Sequence, residues 1–386
     1  MNGMAIARFA ERFGRALPSR GLAAMVAVVL GVLVFHAAGT SASAQQPAGD
    51  PAAEAPVQGQ VPGNTLGTNS DTELWRAVRQ GIAGNVSIPD KNAATLVQSE
   101  GELWRSLRNG PLALYASWAL LAMVVLLSIF FAIRGRIRIE HGRSDRTITR
   151  FAAVERFGHW LLASSFIVLA LTGLNVMYGR YVLLPVVGPD AFGAVTLFGK
   201  YLHNYLAFAF MAGLVIIFLM WVRHNLPHPS DIKWILQGGG IFSKKLHPPA
   251  KKFNAGQKMI FWLTILCGIS ISMSGWSLLF PYTTHFFAGT FGAVNSVFGT
   301  ELPTALTVLQ EQQLASLWHA IMSVFLICVI IAHIYIGSIG MEGAFDAMGS
   351  GEVDLNWAKE HHSLWVEEVL ARQDKEKHPP AAQPAE

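Results

Sequence analysis

One stretch near the C-terminal end limits what this chain can become. Ser316 to Ile339 reads SLWHAIMSVFLICVIIAHIYIGSI, long and apolar enough to cross a bilayer as a helix, yet it carries His319 and His333. Ionisable groups inside a membrane span are costly and mark function. The fourteen-residue step from one to the other corresponds to a rise of roughly 21 Å and leaves both side chains within about 40° of one helix face. Such a face presents one imidazole near each side of the membrane. Imidazole is a good axial ligand for haem iron, and helix bundles build cofactor sites from side chains on facing helices. The structural alternative is a pair of satisfied core histidines. Haem ligation at both ends of this helix requires two partner histidines on other spans.

The rest of the chain supports a membrane protein. Of 386 residues, 52% are hydrophobic and only 14% charged, against roughly 25% charged in a soluble domain. The net charge of +4 comes from loops that orient spans, so it carries no nucleic-acid signal. Cys267 and Cys328 both sit in apolar runs, and no CxxCH or CxxC occurs. This argues against c-type haem, iron–sulfur ligation, structural zinc and disulfides.

Arg8, Arg12, Arg15 and Arg20 precede an apolar run that ends at the AxA site Ala42-Ser43-Ala44. Residues 1–44 thus read as a secretory signal or an uncleaved anchor. Residues 45–111 read as an extracytoplasmic segment: a Pro/Ala/Gly-rich linker, then a repeat of GluLeuTrpArg at Glu73–Arg76 and Glu102–Arg105. Trp and Arg are enriched at interface hot spots, so the repeat reads as a docking strap for a partner, with a pair of solvated helices as the plain alternative.

Five spans follow. An extra helix at 112–133 leads into a loop holding Arg134, Arg136, Arg138, Arg143, Arg146 and Arg150. The positive-inside rule makes this loop cytoplasmic. The next spans run from about His159 to Tyr178, from His203 to Val222 after a loop through Pro185, Gly188, Pro189 and Gly193, and from Met259 to Phe280. Residues 281–310 contain no Lys or Arg and read as an external loop, and 341–386 as a polar cytoplasmic tail. Depth then sorts the histidines. His159 and His333 fall near the cytoplasmic side, His203 and His319 near the outer side. Two bis-histidine pairs follow, one haem each. Loop and tail histidines, His141, His247, His361 and His362 among them, read as solvated, and Trp160, Trp221, Trp262 and Trp318 as an interfacial belt. Gly173 and Gly213 would let neighbouring groups approach closely.

Four local patterns carry a family resemblance: ArgPheGlyHisTrp at Arg156–Trp160, ArgHisAsnLeuPro at Arg223–Pro227, AsnAlaGlyGlnLys at Asn254–Lys258 and TrpAlaLysGluHisHis at Trp357–His362. With the fourteen-residue histidine spacing, they make residues 150 to 370 resemble the cytochrome b (gamma) subunit of membrane-bound formate dehydrogenases. The resemblance implies an all-α integral membrane protein of the bacterial inner membrane. Its four-helix bundle, over 134–340, would hold two b haems, His159 and His333 on the inner one and His203 and His319 on the outer. It implies a quinone as substrate, bound beside the inner haem at Asn254, Gly256 and Gln257. It also implies partners: a catalytic alpha subunit that oxidises formate and an iron–sulfur beta subunit, neither chemistry being within this chain's means. The chain departs from short family members by its signal, strap and extra span, and by Asn204 where they often place proline. A dihaem subunit serving a hydrogenase or thiosulfate reductase, a proton-coupled transporter and a purely structural anchor are the alternatives. Amide side chains suit a quinone carbonyl, while Asn254 equally suits a helix N-cap.

Overall fold

A computed structural model describes residues 101–243 and 246–378. The expectations for the signal segment 1–44, the linker and the first GluLeuTrpArg copy lie outside these residues. The second copy sits on helix α1 (Gly101–Leu107), which passes through a π turn at Arg108–Leu112 into α2 (Ala113–Arg134). Pro111 lies inside that turn. Proline cannot donate the backbone bond an α-helix would require there, which accounts for the irregular turn.

Among the described residues, five helices are long and apolar enough to cross a membrane: Trp104–Arg134, Ala153–Val182, Leu184–Asn225, Ala255–Leu279 and Val308–Gly340. In hydrocarbon a helix satisfies its own backbone, which is why these apolar runs fold this way. We name their regular parts α3 (Ala153–Val182), α4 (Leu184–Trp221), α6 (Ala255–Leu279) and α8 (Val308–Tyr335). Short helices α5 (Pro229–Leu236) and α7 (Phe286–Phe298) stand between them. Many large apolar side chains on the long helices point outward, Leu171, Val215, Leu219 and Leu266 among them, as a lipid-facing surface requires.

Two connections differ from expectation. The loop expected around Pro185–Gly193 is helical except at Gly188, whose φ of 80° and ψ of 169° break the run. Glycine tolerates that backbone, and Pro189 disfavours helix in the residue before it. The basic-free stretch 281–310 contains α7, whose first turn is capped by a buried side chain: Glu311 accepts from the backbone N–H groups of Phe287 and Ala288 at 3.0 and 2.7 Å.

The chain forms two compact units. Among the described residues, one takes in 101–121 with Arg180–Val186 and Met273–Ile321; the other comprises Ala122–Gly179, Val187–Ser272 and residues 322–378. In the larger unit, Leu162, Phe210, Leu214, Ile217, Phe261 and Ile265 form the core where α3, α4 and α6 meet. At Gly213 an added Cβ would stand 3.0 Å from the Leu162 backbone, so glycine lets α3 and α4 approach closely here.

The expected polar tail is instead folded onto the Arg-rich loop. Strand β1 (Thr147–Thr149) pairs antiparallel with β2 (Glu352–Asp354), Ile148 opposite Val353. Helix α9 (Asp346–Gly349) precedes β2, and α10 (Leu355–His361) and α11 (Ser363–Lys377) follow it. Val353, Trp357, Ala358, Trp365 and Val366 are buried in the same core as Phe151, Trp221 and Phe253. Trp221 is therefore a core residue, 7% exposed, not part of an interfacial belt. His362, expected to be solvated, is 1% exposed, its Nδ1 2.7 Å from the Lys251 carbonyl. Burial keeps both neighbouring imidazoles neutral. It pushes His361 down to about 4 and His362 well below its ordinary range, Arg150 adding to the effect on both.

Candidate haem and quinone sites

His159 enters the larger unit in the second turn of α3 and His333 near the end of α8. Their ring centroids are 6.2 Å apart. Metal–imidazole bonds are about 2 Å long and a nitrogen lies roughly 1.1 Å from its ring centre, so two rings on opposite sides of one metal stand about 6 Å apart. The pair fits that spacing. Nδ1 of His159 is also buried without a hydrogen-bond partner, a cost that only a further group or a functional role offsets.

Both histidines line a cavity of about 1450 Å³. A single small-molecule site takes roughly 300–1,000 Å³, so there is room for more than one ligand. One part of the wall is apolar, with Phe130, Phe166, Leu326 and Ile330; another is polar, with Arg150, Asn254, Gln257, Glu360 and His361. The structure thus brings His159, His333, Asn254, Gly256 and Gln257 to one cavity.

Asn254 and Gln257 also cap α6 reciprocally. Asn254 Oδ1 accepts from the Gln257 N–H at 2.9 Å, and Gln257 Oε1 from the Asn254 N–H at 3.1 Å. The cap uses the amide oxygens, and the NH2 groups take no part in it. Gly256 lies against Trp234, whose ring an added Cβ would meet at 2.9 Å. The other quoted patterns are knitted into the same end of the molecule. Arg156 Nη1 donates to the Gly349 carbonyl at 2.6 Å and Trp160 Nε1 to that of Met348 at 2.9 Å. Lys258 Nζ donates to the Leu226 carbonyl at 3.0 Å and to Asp231 at 2.8 Å. Glu360 accepts from the backbone N–H groups of Glu140 and His141 at 3.0 and 3.1 Å. Burial of Glu360 favours the neutral acid, but these bonds and the His141 side chain outweigh it and hold the carboxyl below its ordinary range.

His203, on α4, is held by α3. Thr172 Oγ1 lies 2.8 Å from its Nδ1. The threonine proton is directed to its own helix, 2.8 Å from the Val168 carbonyl and 3.0 Å from that of Leu169. The hydroxyl oxygen therefore accepts from Nδ1–H, a contact that sets how the imidazole is turned on α4. Beside it, a Cβ on Gly173 would stand 3.6 Å from His203 Cε1. The smaller unit repeats the arrangement on other helices. Ser274 Oγ of α6 is 3.0 Å from Nδ1 of His319, and a Cβ on Gly275 would meet His319 Cε1 at 3.3 Å. Each imidazole is gripped at Nδ1 by a hydroxyl whose next residue is glycine. Sequence reasoning missed both hydroxyls. The dipeptides Thr172-Gly173 and Ser274-Gly275 inside apolar spans were the available signal.

The model of prokaryotic cytochrome b561 matches residues 150–351, more than half of the chain. The chain belongs to the prokaryotic cytochrome b561 family. All four histidines fall inside the match, and membership implies haem b and a multi-pass membrane protein. This cytochrome b561 member is 27% identical over 227 residues to the cytochrome b556(Fdn) subunit of the nitrate-inducible formate dehydrogenase of Escherichia coli K12, covering 58% of this chain and 93% of the relative. It is 29% identical over 230 residues to the cytochrome b556(fdo) subunit of formate dehydrogenase from the same strain, 59% and 96% of the two chains. With the formate dehydrogenase cytochrome b556 subunit of Haemophilus influenzae it shares 25% identity over 233 residues, 59% and 87%.

Proposed function

We propose that this chain is the membrane electron-transfer subunit of a formate dehydrogenase complex, linking a catalytic partner outside the cytoplasm to the quinone pool through two b haems. The observation that carries the reading is the 6.2 Å pairing of His159 with His333 beside a cavity large enough for more than one ligand. The names of the relatives supply the donor, formate, and favour it over a hydrogenase or thiosulfate donor.

On this reading His159 and His333 hold the inner haem and His203 and His319 the outer. Haem b, when bound, supplies reversible one-electron transfer. The residues do the rest. Thr172 and Ser274 orient the outer imidazoles through Nδ1. Asn254 and Gln257, with NH2 donors left over from the cap, bind a quinone carbonyl in the cavity that His333 lines. Reducing a quinone consumes protons; Glu360 and His361 are titratable groups lining the same cavity. Residues 134–340 form the cofactor-bearing domain, with the Arg-rich loop and tail in the cytoplasm. The GluLeuTrpArg segment docks the periplasmic iron–sulfur and catalytic partners.

The test is the haem content of the purified full chain. A pyridine haemochrome assay is expected to give two b haems per chain. His159→Ala or His333→Ala is expected to remove one haem, and His203→Ala or His319→Ala the other. One haem or none in the wild type would overturn the reading.

A further inference from the structure

Arg150 is the most anomalous charge among the described residues. It directly follows β1 and is 3% exposed. Rings surround it, the guanidinium carbon lying 5.2 Å from the centre of Phe151, 5.1 Å from Trp357 and 5.9 Å from Trp365. Nη2 donates to the Lys252 carbonyl at 2.7 Å and to Gln257 Oε1 at 3.3 Å. Both acceptors are neutral. Nε and Nη1 are buried with no partner. The carboxylate that acts on it, Glu155, is engaged elsewhere: Oε1 by Lys252 Nζ and Trp221 Nε1, both at 2.8 Å, and Oε2 by the Ala152 N–H at 2.8 Å.

Two more groups share this state. Trp357 Nε1 and His361 Nε2 are buried without partners, their rings 5.2 Å apart. Arg150, Trp357 and His361 all line the cavity that holds His159 and His333. A buried guanidinium without a compensating anion is strongly unfavourable, and each buried donor without an acceptor adds to the cost. A ligand that resolves both must carry negative charge and several acceptor oxygens. A quinone carbonyl offers a neutral acceptor and leaves the charge uncompensated. A carboxylate accepts from an arginine in bidentate fashion and neutralises it.

We infer that Arg150, Trp357 and His361 form an anchor for an anionic oxygen group, the propionate carboxylate of the haem held by His159 and His333. The inference rests on the haem reading above. It selects the propionate over an acidic lipid headgroup, which shares the chemistry, because one cavity contains both the donors and the histidine pair.

Full-length chain with Arg150→Gln, Arg150→Lys or Trp357→Phe, purified from membranes, tests it by spectroelectrochemical titration of both haems. Removing the cation favours the ferric state. Arg150→Gln is expected to lower the midpoint of the haem assigned to His159 and His333 by at least a tenfold change in its reduction equilibrium, about 59 mV for one electron. The other haem is expected to keep its midpoint. Arg150→Lys should recover part of the shift. Trp357→Phe, which keeps the ring and removes the donor, should move the same haem in the same direction by less, and it serves as the readout if Arg150→Gln does not assemble. Unchanged midpoints overturn the inference. They do so whether native mass spectrometry then shows loss of an acidic phospholipid from Arg150→Gln or only the KM for quinone rises. A wild type without haem would instead overturn the function itself.

Discussion

Thr172 on α3 accepts a hydrogen bond from Nδ1 of His203 on α4 at 2.8 Å, and this bond fixes how the imidazole is turned. An outer partner of this kind fixes both the tautomer and the orientation of a metal-bound histidine, and its loss typically costs about 10–100-fold in metal affinity. Thr172→Val keeps the side-chain shape and removes the acceptor. We expect it to weaken one of the two proposed haems by about that factor, while Thr172→Ser retains affinity. Haem titration of the variants followed by optical spectroscopy measures this. Equal affinity in the valine variant would show that α3 merely packs against His203.

The two glycines beside the gripped imidazoles are not equivalent. A Cβ at position 275 would stand 3.3 Å from His319 Cε1, closer than packed atoms tolerate without a shift, whereas one at 173 would stand 3.6 Å from His203 Cε1, an ordinary contact. Gly275→Ala is therefore expected to displace His319 and broaden or shift one haem spectrum, with Gly173→Ala close to wild type. Low-temperature electron paramagnetic resonance of the oxidised protein reads the axial geometry. The reverse order would contradict the spacing.

Much of this was legible in the residues, for a physical reason. An apolar run long enough for a bilayer has few other folds available, and a histidine inside it stands out against its surroundings. The pairing of His159 with His333 followed from depth alone. Less visible was anything decided by contacts between distant segments. Strands β1 and β2 are three residues each and lie some two hundred positions apart, too short to register as alternating patterns. Trp221 at a span end looks like any interfacial tryptophan until Phe151 and Phe253 are packed on it at 5.3 and 5.2 Å. Thr172 and Ser274 read as ordinary small residues because hydroxyls in helices commonly bond to their own backbone. The quoted patterns around residues 156, 223, 254 and 357 were recognisable as strings, yet much of their content is the knitting of one end of the molecule.

Acid should loosen that end. His361 is neutral when folded, with its proton affinity pushed down to about 4 from 6.5, and His362 moves the same way. A base whose folded value is depressed binds fewer protons than in the unfolded chain, so stability falls as pH drops from about 6.5 towards 4. Glu360, held below its ordinary range, also loses its contribution as pH falls, at lower pH. For His361 alone the loss approaches about 3 kcal/mol by pH 4. Thermal melts in detergent are expected to show a lower Tm at pH 5 than at pH 7.5, with a smaller drop in His361→Gln. A Tm that does not change between those values would contradict the buried neutral pair.

The β1–β2 pairing ties the Arg-rich loop to the tail, so both must lie on one side of the membrane. Asp145→Cys and Ser350→Cys, both exposed positions, are expected to react with an impermeant maleimide only after permeabilisation, and Thr283→Cys in intact cells. Cys267 and Cys328 are buried and leave a low background. Labelling of position 145 without 350 would contradict the pairing. Labelling of both from outside would reverse the proposed orientation and leave the fold intact.

The remaining question at the proposed quinone site is whether Asn254 does more than cap α6. Its Oδ1 serves the cap and its NH2 group does not, so the two roles can be separated by substitution. Asn254→Asp keeps an oxygen acceptor at a position where Asp and Asn cap about equally well, and it removes the donor. Asn254→Ala removes both, at a stability cost of about 1 kcal/mol. If the amide binds a quinone carbonyl, Asn254→Asp folds with full haem content and a near-normal Tm, but reoxidation of the reduced haems by quinone slows and the KM for quinone rises. Two good hydrogen bonds bound the effect, roughly 0.5–1.5 kcal/mol each, so a change of about tenfold is expected. Stopped-flow reoxidation at matched haem content measures it. Wild-type kinetics in Asn254→Asp, alongside a lowered Tm in Asn254→Ala, would reduce Asn254 to a helix cap and move the quinone elsewhere in the cavity.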